Sequence, residues 1–112
     1  MPNNSAALDH VFHALADPTR RAVVERLRRG PAAMSELARP FSMALPSFAQ
    51  HMGVLERSGL VRSRKDGRVR TYRLAPRPLR VAHGWLGEQR ALWEKRLDQL
   101  DRYVAGLKET PR

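Results

Sequence analysis

The sequence contains no cysteine, and this absence excludes several kinds of chemistry. Without a thiol the chain cannot form a disulfide, a thiolate metal site or a thiol-based redox switch. It also lacks any apolar run as long as a membrane span, and its first residues, MPNNSAALDH, have neither the basic nor the apolar region of a signal peptide. These absences predict a cytoplasmic protein that makes no contact with the membrane.

Residue patterns that carry enzyme chemistry are missing as well. The seven glycines are scattered rather than gathered in a loop that could cradle a phosphate. Ser47 and His51 lie four residues apart, but no third group is placed to orient them as a nucleophile and its base. With 112 residues the chain is long enough for one modest core and too short for a large internal cavity. We therefore expect a single non-enzymatic domain, residues 1–112, without a cofactor.

Acidic residues are scarce, 11 against 21 lysines and arginines, and the formal net charge is +10. The excess is concentrated, because residues 57–80 contain nine basic residues and one acidic residue, Asp66. The nine are Arg57, Arg62, Arg64, Lys65, Arg68, Arg70, Arg73, Arg77 and Arg80. A generally basic surface would spread its charge along the chain, so this concentration favours a nucleic-acid partner.

The first two predicted helices meet at Asp17-Pro18. Residues 6–16 form the first one, since its apolar residues recur at intervals of three and four. They are Leu8, Val11, Phe12 and Leu15. The Asp17 side chain can accept hydrogen bonds from the free backbone N–H groups of the second helix, and Pro18 suits its first position. Gly30-Pro31 is expected to end the second helix.

Residues 34–58 are predicted to form a helix-turn-helix. A short helix around Ser35–Ala38 is ended by Pro40, and another helix starts near Leu45 and ends at Gly59. When residues are placed 100° apart, this last helix has two distinct sides. Its core side consists of Phe48, Met52 and Leu55. The other side, with Pro46 at its entry, consists of Ser47, Gln50, His51 and Val54.

The segment LVRSRKDGRVRTYRL, residues 60–74, is predicted to be a β-hairpin. Asp66-Gly67 indicates a two-residue type I′ turn. The facing residues would then be Lys65 with Arg68, Arg64 with Val69, and Ser63 with Arg70. Like charges at this distance are unfavourable unless an anion lies between them. A phosphate of a nucleic-acid backbone would supply that anion.

A final helix is predicted over residues 79–107. At 1.5 Å per residue it is about 40 Å long, which exceeds the width of a domain of this size. Its apolar stripe therefore needs a surface outside its own domain, and a second copy of the chain supplies one in a twofold homodimer. The alternative is a helix that lies on a membrane surface. Such a helix would have a uniformly basic polar face, whereas the polar face of this helix mixes acidic and basic residues. The predicted dimer interface comprises Leu8, Val11, Phe12, Leu15, Leu86, Trp93, Leu97, Leu100 and Val104.

Three segments carry a resemblance to a known family: ALADPTRRAVVERLRRGPAAMSELA, LPSFAQHMGVLERSGLV and KDGRVRTYRL. Together they span roughly Val11 to Leu74, and they resemble the bacterial ArsR/SmtB family of small winged-helix transcriptional repressors. The resemblance implies a mainly helical winged helix-turn-helix with about five helices and a β-hairpin wing. It also implies a homodimer formed by the first and last helices, and repression of a promoter that often includes the regulator's own gene.

Two sensing sites of the best-known family members have no counterpart in this sequence. The thiolate site at the start of the third helix would fall on Ala33–Leu37, which contains no cysteine. The zinc site of the last helix needs Asp, Glu and His pairs, whereas residues 79–107 contain a single histidine, His83. His10 and His13 have a spacing compatible with two metal bonds, but two ligands do not make a site. The sequence therefore predicts a branch of the family that does not sense metals, and it leaves the effector open.

The expected partner is double-stranded operator DNA. Base contacts are assigned to Gln50 and Ser47, and His51 is expected to contact the DNA backbone or to orient the helix. Affinity is assigned to the cations around this helix, namely Arg39, Arg57, Arg62, Arg64, Lys65, Arg68 and Arg70. Two other interpretations remain open at this point: a MarR-like ligand-responsive regulator, and a nucleoid or RNA-binding protein without sequence preference.

Overall fold

The computed structural model describes residues 4–109, which form five helices and three short strands. In chain order these are α1 (Asn4–Leu15), α2 (Pro18–Leu27), β1 (Ala32–Ala33), α3 (Met34–Ala38), α4 (Leu45–Arg57), β2 (Val61–Asp66), β3 (Val69–Leu74) and α5 (Pro76–Glu109). The chain divides into two compact units, Met1–Ala82 and His83–Arg112. The predicted mainly helical fold with a helix-turn-helix and a hairpin wing is confirmed.

The start of α2 follows the prediction closely. Asp17 lies just before the helix in extended conformation, and its side chain accepts a hydrogen bond from the backbone N–H of Arg20 at 3.1 Å. Pro18 occupies the first turn, where its missing N–H has no helical partner to lose. The predicted cap of α2 by Asp17 and Pro18 therefore forms in the structure.

The core of the first unit is made where α1, α2, α3, α4 and the strands meet. Its largest fully buried side chains are Phe48, Leu37, Met52, Leu55, Leu60, Val11, Val23 and Val61. Phe41 stacks on Phe48 with ring centroids 5.6 Å apart. Val11 is completely buried within this unit, so it has no surface left for a second chain. Its assignment to a dimer interface is therefore wrong, because the helical stripe of α1 faces its own core.

The sheet has three antiparallel strands in the order β1-β3-β2. The two residues of β1, Ala32 and Ala33, pair with Tyr72 and Thr71 of β3. This strand was not predicted, because two alanines show no alternation that distinguishes a strand from a loop. It ties the start of α3 to the hairpin, and Tyr72 supports the same joint by donating a hydrogen bond to the Met34 sulfur at 3.4 Å.

The hairpin turn differs from the prediction by one residue. Asp66 pairs with Val69, so the two central residues are Gly67 and Arg68 rather than Asp66 and Gly67. Gly67 has a φ of +66°, whereas Arg68 does not have a positive φ. A single positive φ at the first central position is typical of a type II′ turn, and glycine is suited to that position. The predicted type I′ turn and its register are therefore wrong.

The corrected register changes which cations face each other. Lys65 lies opposite Arg70, and Arg62 lies opposite Arg73. Arg64 lies opposite Thr71 rather than Val69. Like charges still meet across the strands twice, so the physical expectation of an anion near the hairpin survives the change of register.

Helix α5 begins three residues earlier than predicted, at Pro76. Pro76 and Pro78 lie before the predicted range, but both fit the first turn of the helix because proline needs no hydrogen bond there. Within the first unit, Ala82 is buried and Leu79 packs against the core. In the second unit the apolar side chains of α5 are exposed. No helix within residues 4–109 is both long and apolar enough to cross a membrane.

Candidate nucleic-acid interface

Helix α4 is the element that can enter a DNA groove. Its N-terminal end is uncapped by any side chain, because the capping position is held by Ala44. Its C-terminal end is closed at Gly59, which has a φ of +80°, a conformation that favours glycine. The Ser58 hydroxyl donates to the Leu55 carbonyl oxygen at 2.7 Å and accepts from the Leu60 N–H at 3.2 Å. The helix therefore ends in a fixed turn that leads directly into β2.

The core side of α4 is as predicted, but Val54, which was predicted on the outward side, is partly buried against the core. Phe48, Met52 and Leu55 are buried and seat the helix on the core. The exposed side chains of its first half are Leu45, Pro46, Ser47, Ala49 and Gln50. From Leu45 to Val54 the helix carries no lysine, arginine, aspartate or glutamate. The surface that this part of α4 offers to a partner is consequently uncharged, with Gln50 and Ser47 as its exposed hydrogen-bonding groups. The charged residues of the helix, Glu56 and Arg57, lie at its C-terminal end.

His51 is held from within the protein. Arg20, which is buried, places its Nη1 atom 2.9 Å from His51 Nδ1. A guanidinium has no acceptor, so Nδ1 must accept this hydrogen bond and the imidazole proton then lies on Nε2. The other donors of Arg20 bind the end of α1, with Nε 2.7 Å from the Ala14 carbonyl oxygen and Nη2 3.1 Å from that of His13. Arg20 thus links α4 to the end of α1.

Asp17 completes this arrangement. Its Oδ2 atom lies 3.7 Å from His51 Nδ1, in addition to accepting the backbone N–H of Arg20. Burial acts to raise the pKa of Asp17, but the backbone hydrogen bonds from Arg20 and Thr19 and the positive charge of Arg20 act to lower it, and the pKa is lowered. Asp17 is therefore ionised at neutral pH and faces the cationic Arg20.

Sequence reasoning missed the role of Arg20. A signal was present, because Arg20 falls on the same helical stripe as the buried Val23, Val24 and Leu27. An arginine within an apolar stripe is rarely buried without partners for its donors. The partners are two carbonyl groups at the end of α1 and an imidazole 31 positions away, and their identity could not be read from the stripe.

The hairpin presents the cations that α4 lacks. Arg62, Arg64, Lys65 and Arg68 are all exposed. Arg70 is exposed as well, but its Nη1 atom donates to the Ser63 hydroxyl at 2.8 Å, and that hydroxyl donates to Glu56 Oε2 at 2.8 Å. This relay fastens β2 and β3 to α4. It also brings a negative charge close to Arg70, whereas Arg68 lies outside the relay, in the turn between the strands.

Two further cations were predicted to support DNA binding. Arg39, directly after α3, is exposed. Arg57, at the end of α4, is exposed too, and its guanidinium folds back over Gly53. A Cβ atom at position 53 would lie 3.2 Å from Arg57 Nη1, so glycine gives this guanidinium room on the outward ridge of the helix. Pro46, Gln50, Gly53 and Arg57 share that ridge because they are spaced by four, three and four residues.

The histidines of α1 lie apart from this surface. His10 and His13 are exposed and line a shallow cavity of about 240 Å³ with Val54, Arg57 and Ser58. No carboxylate lines that cavity. Over residues 4–109, no group of three or more histidine, aspartate or glutamate side chains is placed to hold a metal ion.

Comparisons with known proteins find helix-turn-helix transcriptional regulators. A family model described as a helix-turn-helix domain matches residues 15–64. The HTH-type transcriptional regulator Rv2034 of Mycobacterium tuberculosis is 48% identical over 68 residues, which cover 61% of this chain and 64% of that protein. The match therefore spans slightly less than two thirds of that relative.

Solved structures extend the similarity over more of the chain. The crystal structure of an ArsR family transcriptional regulator is 54% identical, covers 84% of this chain and 97% of its own, and superposes with a TM-score of 0.79. An ArsR-like transcriptional regulator from Rhodococcus sp. RHA1 is 32% identical, covers 89% and 94% of the two chains, and gives a TM-score of 0.74. At these identities and coverages, the chain belongs to the ArsR family of winged helix-turn-helix transcriptional regulators.

Proposed function

We propose that this protein is a cytoplasmic homodimeric repressor that binds a twofold-symmetric operator, including one in front of its own gene. The observation that carries the proposal is the position of an uncharged, exposed helix face next to a hairpin of exposed arginines. Such a division suits DNA, since amide, hydroxyl and apolar side chains can contact base edges while cations bind the phosphates. A protein bound across a promoter excludes the transcription machinery from it.

Reading of the operator is assigned to α4. The major groove of DNA admits one α-helix, and the N-terminal residues of such a helix face the base edges. Gln50 lies on the outward ridge, where its amide can make paired hydrogen bonds to adenine. Ser47 lies on the flank of that ridge and can reach a base or a phosphate. His51 is drawn toward Arg20, so its main contribution is to hold the orientation of α4.

Affinity is assigned to the hairpin and its neighbours. Arg62, Arg64, Lys65 and Arg68 are exposed on β2 and the turn, and they carry no acidic partner among the ion pairs of residues 4–109. If each subunit neutralises about four phosphates, a dimer neutralises about eight, and the logarithm of the affinity falls steeply with the logarithm of the salt concentration. Arg39 and Arg57 are placed to add phosphate contacts at either end of the helix-turn-helix.

Dimerisation is assigned chiefly to α5. Six of its apolar residues follow the alternating spacing of three and four residues, after a first step of seven, that forms the seam of a two-helix coiled coil. They are Leu86, Trp93, Leu97, Leu100, Val104 and Leu107. Their side chains are between 40% and 66% exposed, which is unusual for so many large apolar groups in one row. The same row on a second copy is its natural partner in a twofold dimer.

Helix α1 contributes less to the proposed interface than its sequence indicated. Leu8 and Leu15 are partly buried against their own core, and Val11 is fully buried there. Phe12 is the large apolar residue in the described part of this helix that stays exposed. We therefore assign the interface to the seam of α5, with Phe12 as the main addition from α1.

The test is nuclease footprinting on the DNA directly upstream of the protein's own gene. We expect two protected half-sites about one helical turn apart, as a symmetric dimer with two reading helices requires. Equal binding to this fragment and to random DNA of the same length at physiological salt would overturn the proposal in favour of a non-specific nucleic-acid-binding protein.

The dimer is tested with a pair of variants on α5. Leu100→Glu places a charge in the seam, and we expect it to give monomers by sedimentation and to abolish the symmetric footprint. Lys95→Gln changes the net charge by the same amount on the opposite side of the helix, and it should leave both measurements unchanged. A dimer that persists in Leu100→Glu would contradict the assignment of the interface to this row.

A further inference from the structure

The first turn of α4 carries an apolar patch that the core formed by residues 4–109 leaves uncovered. Leu45 is 60% exposed and belongs neither to the buried core nor to the partly buried side chains packed against it. Pro46 and Ala49 are exposed beside it, and Ala49 follows Leu45 by one helical turn. Gln50 adjoins the same patch. The exposed Leu45 side chain at the start of α4 is therefore available to contact an apolar group of a partner.

The surroundings of Leu45 indicate what that partner is. Leu45 lines one surface groove together with Met34, Arg68, Val69 and Arg70. Arg68 and Arg70 make the rim of this groove cationic, while Leu45, Met34 and Val69 make its wall apolar. An occupant must therefore be polyanionic along its outside and carry apolar groups within reach of α4. Double-stranded DNA meets both conditions, since its phosphates flank a major groove into which the C5-methyl groups of thymine project.

We propose that Leu45, with Ala49 beside it, is a specificity-determining residue that selects thymine by contact with its C5-methyl group. This inference rests on the proposed operator-binding function and names the base that α4 prefers. Thymine is the one DNA base with a methyl group in the major groove, so an apolar side chain there favours T·A over C·G pairs. Gln50 reads an adenine in the same half-site, and the two side chains together require A·T pairs in the operator.

The test removes the methyl group and changes nothing else in the base pair. A half-site duplex is first selected from random DNA by the purified full-length chain, and each of its thymines is then replaced singly by deoxyuridine. We expect at least one replacement per half-site to weaken binding by the wild-type chain about fourfold, the ratio that corresponds to the transfer of one methyl group from water. Leu45→Ala should bind the thymine and deoxyuridine duplexes at that position within about twofold of each other.

A matched control lies in the same groove. Val69 is also exposed and apolar, but it belongs to the hairpin. Val69→Ala should keep the full fourfold sensitivity to deoxyuridine. Because Leu45 and Val69 are both exposed, each variant should unfold at the wild-type temperature, which a thermal melt followed by circular dichroism checks.

The outcomes separate this inference from the function on which it rests. If the chain selects a duplex but every deoxyuridine replacement changes binding by less than twofold, the inference is overturned and the function stands. The same holds if Leu45→Ala retains the wild-type sensitivity to the missing methyl group. If no sequence is enriched from random DNA, the proposed function is overturned and the inference falls with it.

Discussion

Helix α4 and the β2–β3 hairpin lie side by side and use their residues in opposite ways. The helix is positioned by side chains: three buried apolar groups, the Arg20–His51 hydrogen bond and the Glu56–Ser63 hydrogen bond all fix it. The hairpin is positioned mainly by its backbone ladder, and the alternation of strand residues leaves many of its side chains in solvent. The exposed residues in the first half of the helix are uncharged, and the exposed residues of the hairpin are mostly basic. Under the proposed function, the helix supplies selectivity and the hairpin supplies the charge that binds phosphates.

The largest effect on stability and binding is expected when the hydrogen bonds that hold α4 in position are removed. Arg20→Met keeps an unbranched side chain but leaves two carbonyl groups of α1 and the His51 imidazole without their donor. We expect the free energy of unfolding to fall by about 3 kcal/mol, since buried groups lose hydrogen bonds to a charged partner. Urea denaturation measures this change, and specific binding should weaken together with it.

The neighbouring arginine is the control for that variant. Arg21 is exposed, and its Nη1 atom donates to the Leu15 carbonyl oxygen at 2.8 Å. Arg21→Met removes the same charge from the same helix, and we expect the free energy of unfolding to fall by less than about 1 kcal/mol. Equal changes for Arg20→Met and Arg21→Met would mean that the buried network does not position α4.

Removal of a base-reading side chain tests the selectivity of the helix. Gln50→Ala should weaken binding to the operator by about tenfold to a hundredfold, in the range of one paired hydrogen bond to a base. Binding to random DNA should stay within about twofold, because the amide carries no charge for phosphates. Fluorescence anisotropy with both duplexes at one salt concentration measures the ratio. An equal weakening on both would show that Gln50 does not read bases.

Removal of a cation from the hairpin tests whether the hairpin supplies affinity for phosphates without sequence preference. Arg68→Ala should weaken binding to operator and random DNA alike, and it should lower the slope of log affinity against log salt by about 1 for each phosphate that Arg68 neutralises. The measurement is a salt titration of both duplexes. Ser63→Ala, which has no charge but breaks the relay to Glu56, should leave the slope unchanged. A changed preference among sequences in Arg68→Ala would contradict the division of roles.

The smallest expected effect is the pH dependence that Asp17 gives to the stability of the fold. Because the pKa of Asp17 is lowered in the folded chain, ionised Asp17 stabilises the fold above its ordinary pKa of about 3.9 and this stabilisation is lost as the pH falls through the folded value. Asp17→Asn can still cap α2 but cannot ionise. We expect the wild type to be more stable than Asp17→Asn at pH 7 and the difference to shrink below about pH 4. Denaturation at both pH values measures it, and a constant difference would contradict the linkage.

Much of the fold could be predicted from local signals. The Asp17 cap, the glycine end at Gly59 and the buried side of α4 each depend on residues within a few positions of one another. The hairpin was predicted correctly for the same reason, but the predicted register of its two strands was wrong. Asp-Gly suits a type I′ turn in isolation, whereas the observed pairing of Asp66 with Val69 places Gly67 first in a type II′ turn. The two turns contain the same glycine, and the strands flanking it decide between them.

The residues of the candidate site can likewise be divided into those predicted from the sequence and those found only in the tertiary structure. By itself the sequence determined which residues are apolar, which are charged and how they are spaced, and this was enough to predict the helix-turn-helix, the basic hairpin and the family. Only the tertiary structure decided that Val11 is core, that Arg20 holds His51 across 31 positions, and that Leu45 is left exposed beside Arg68. Spacing along a helix determines which residues share a face. What covers that face depends on distant segments, and only the packed chain brings those together.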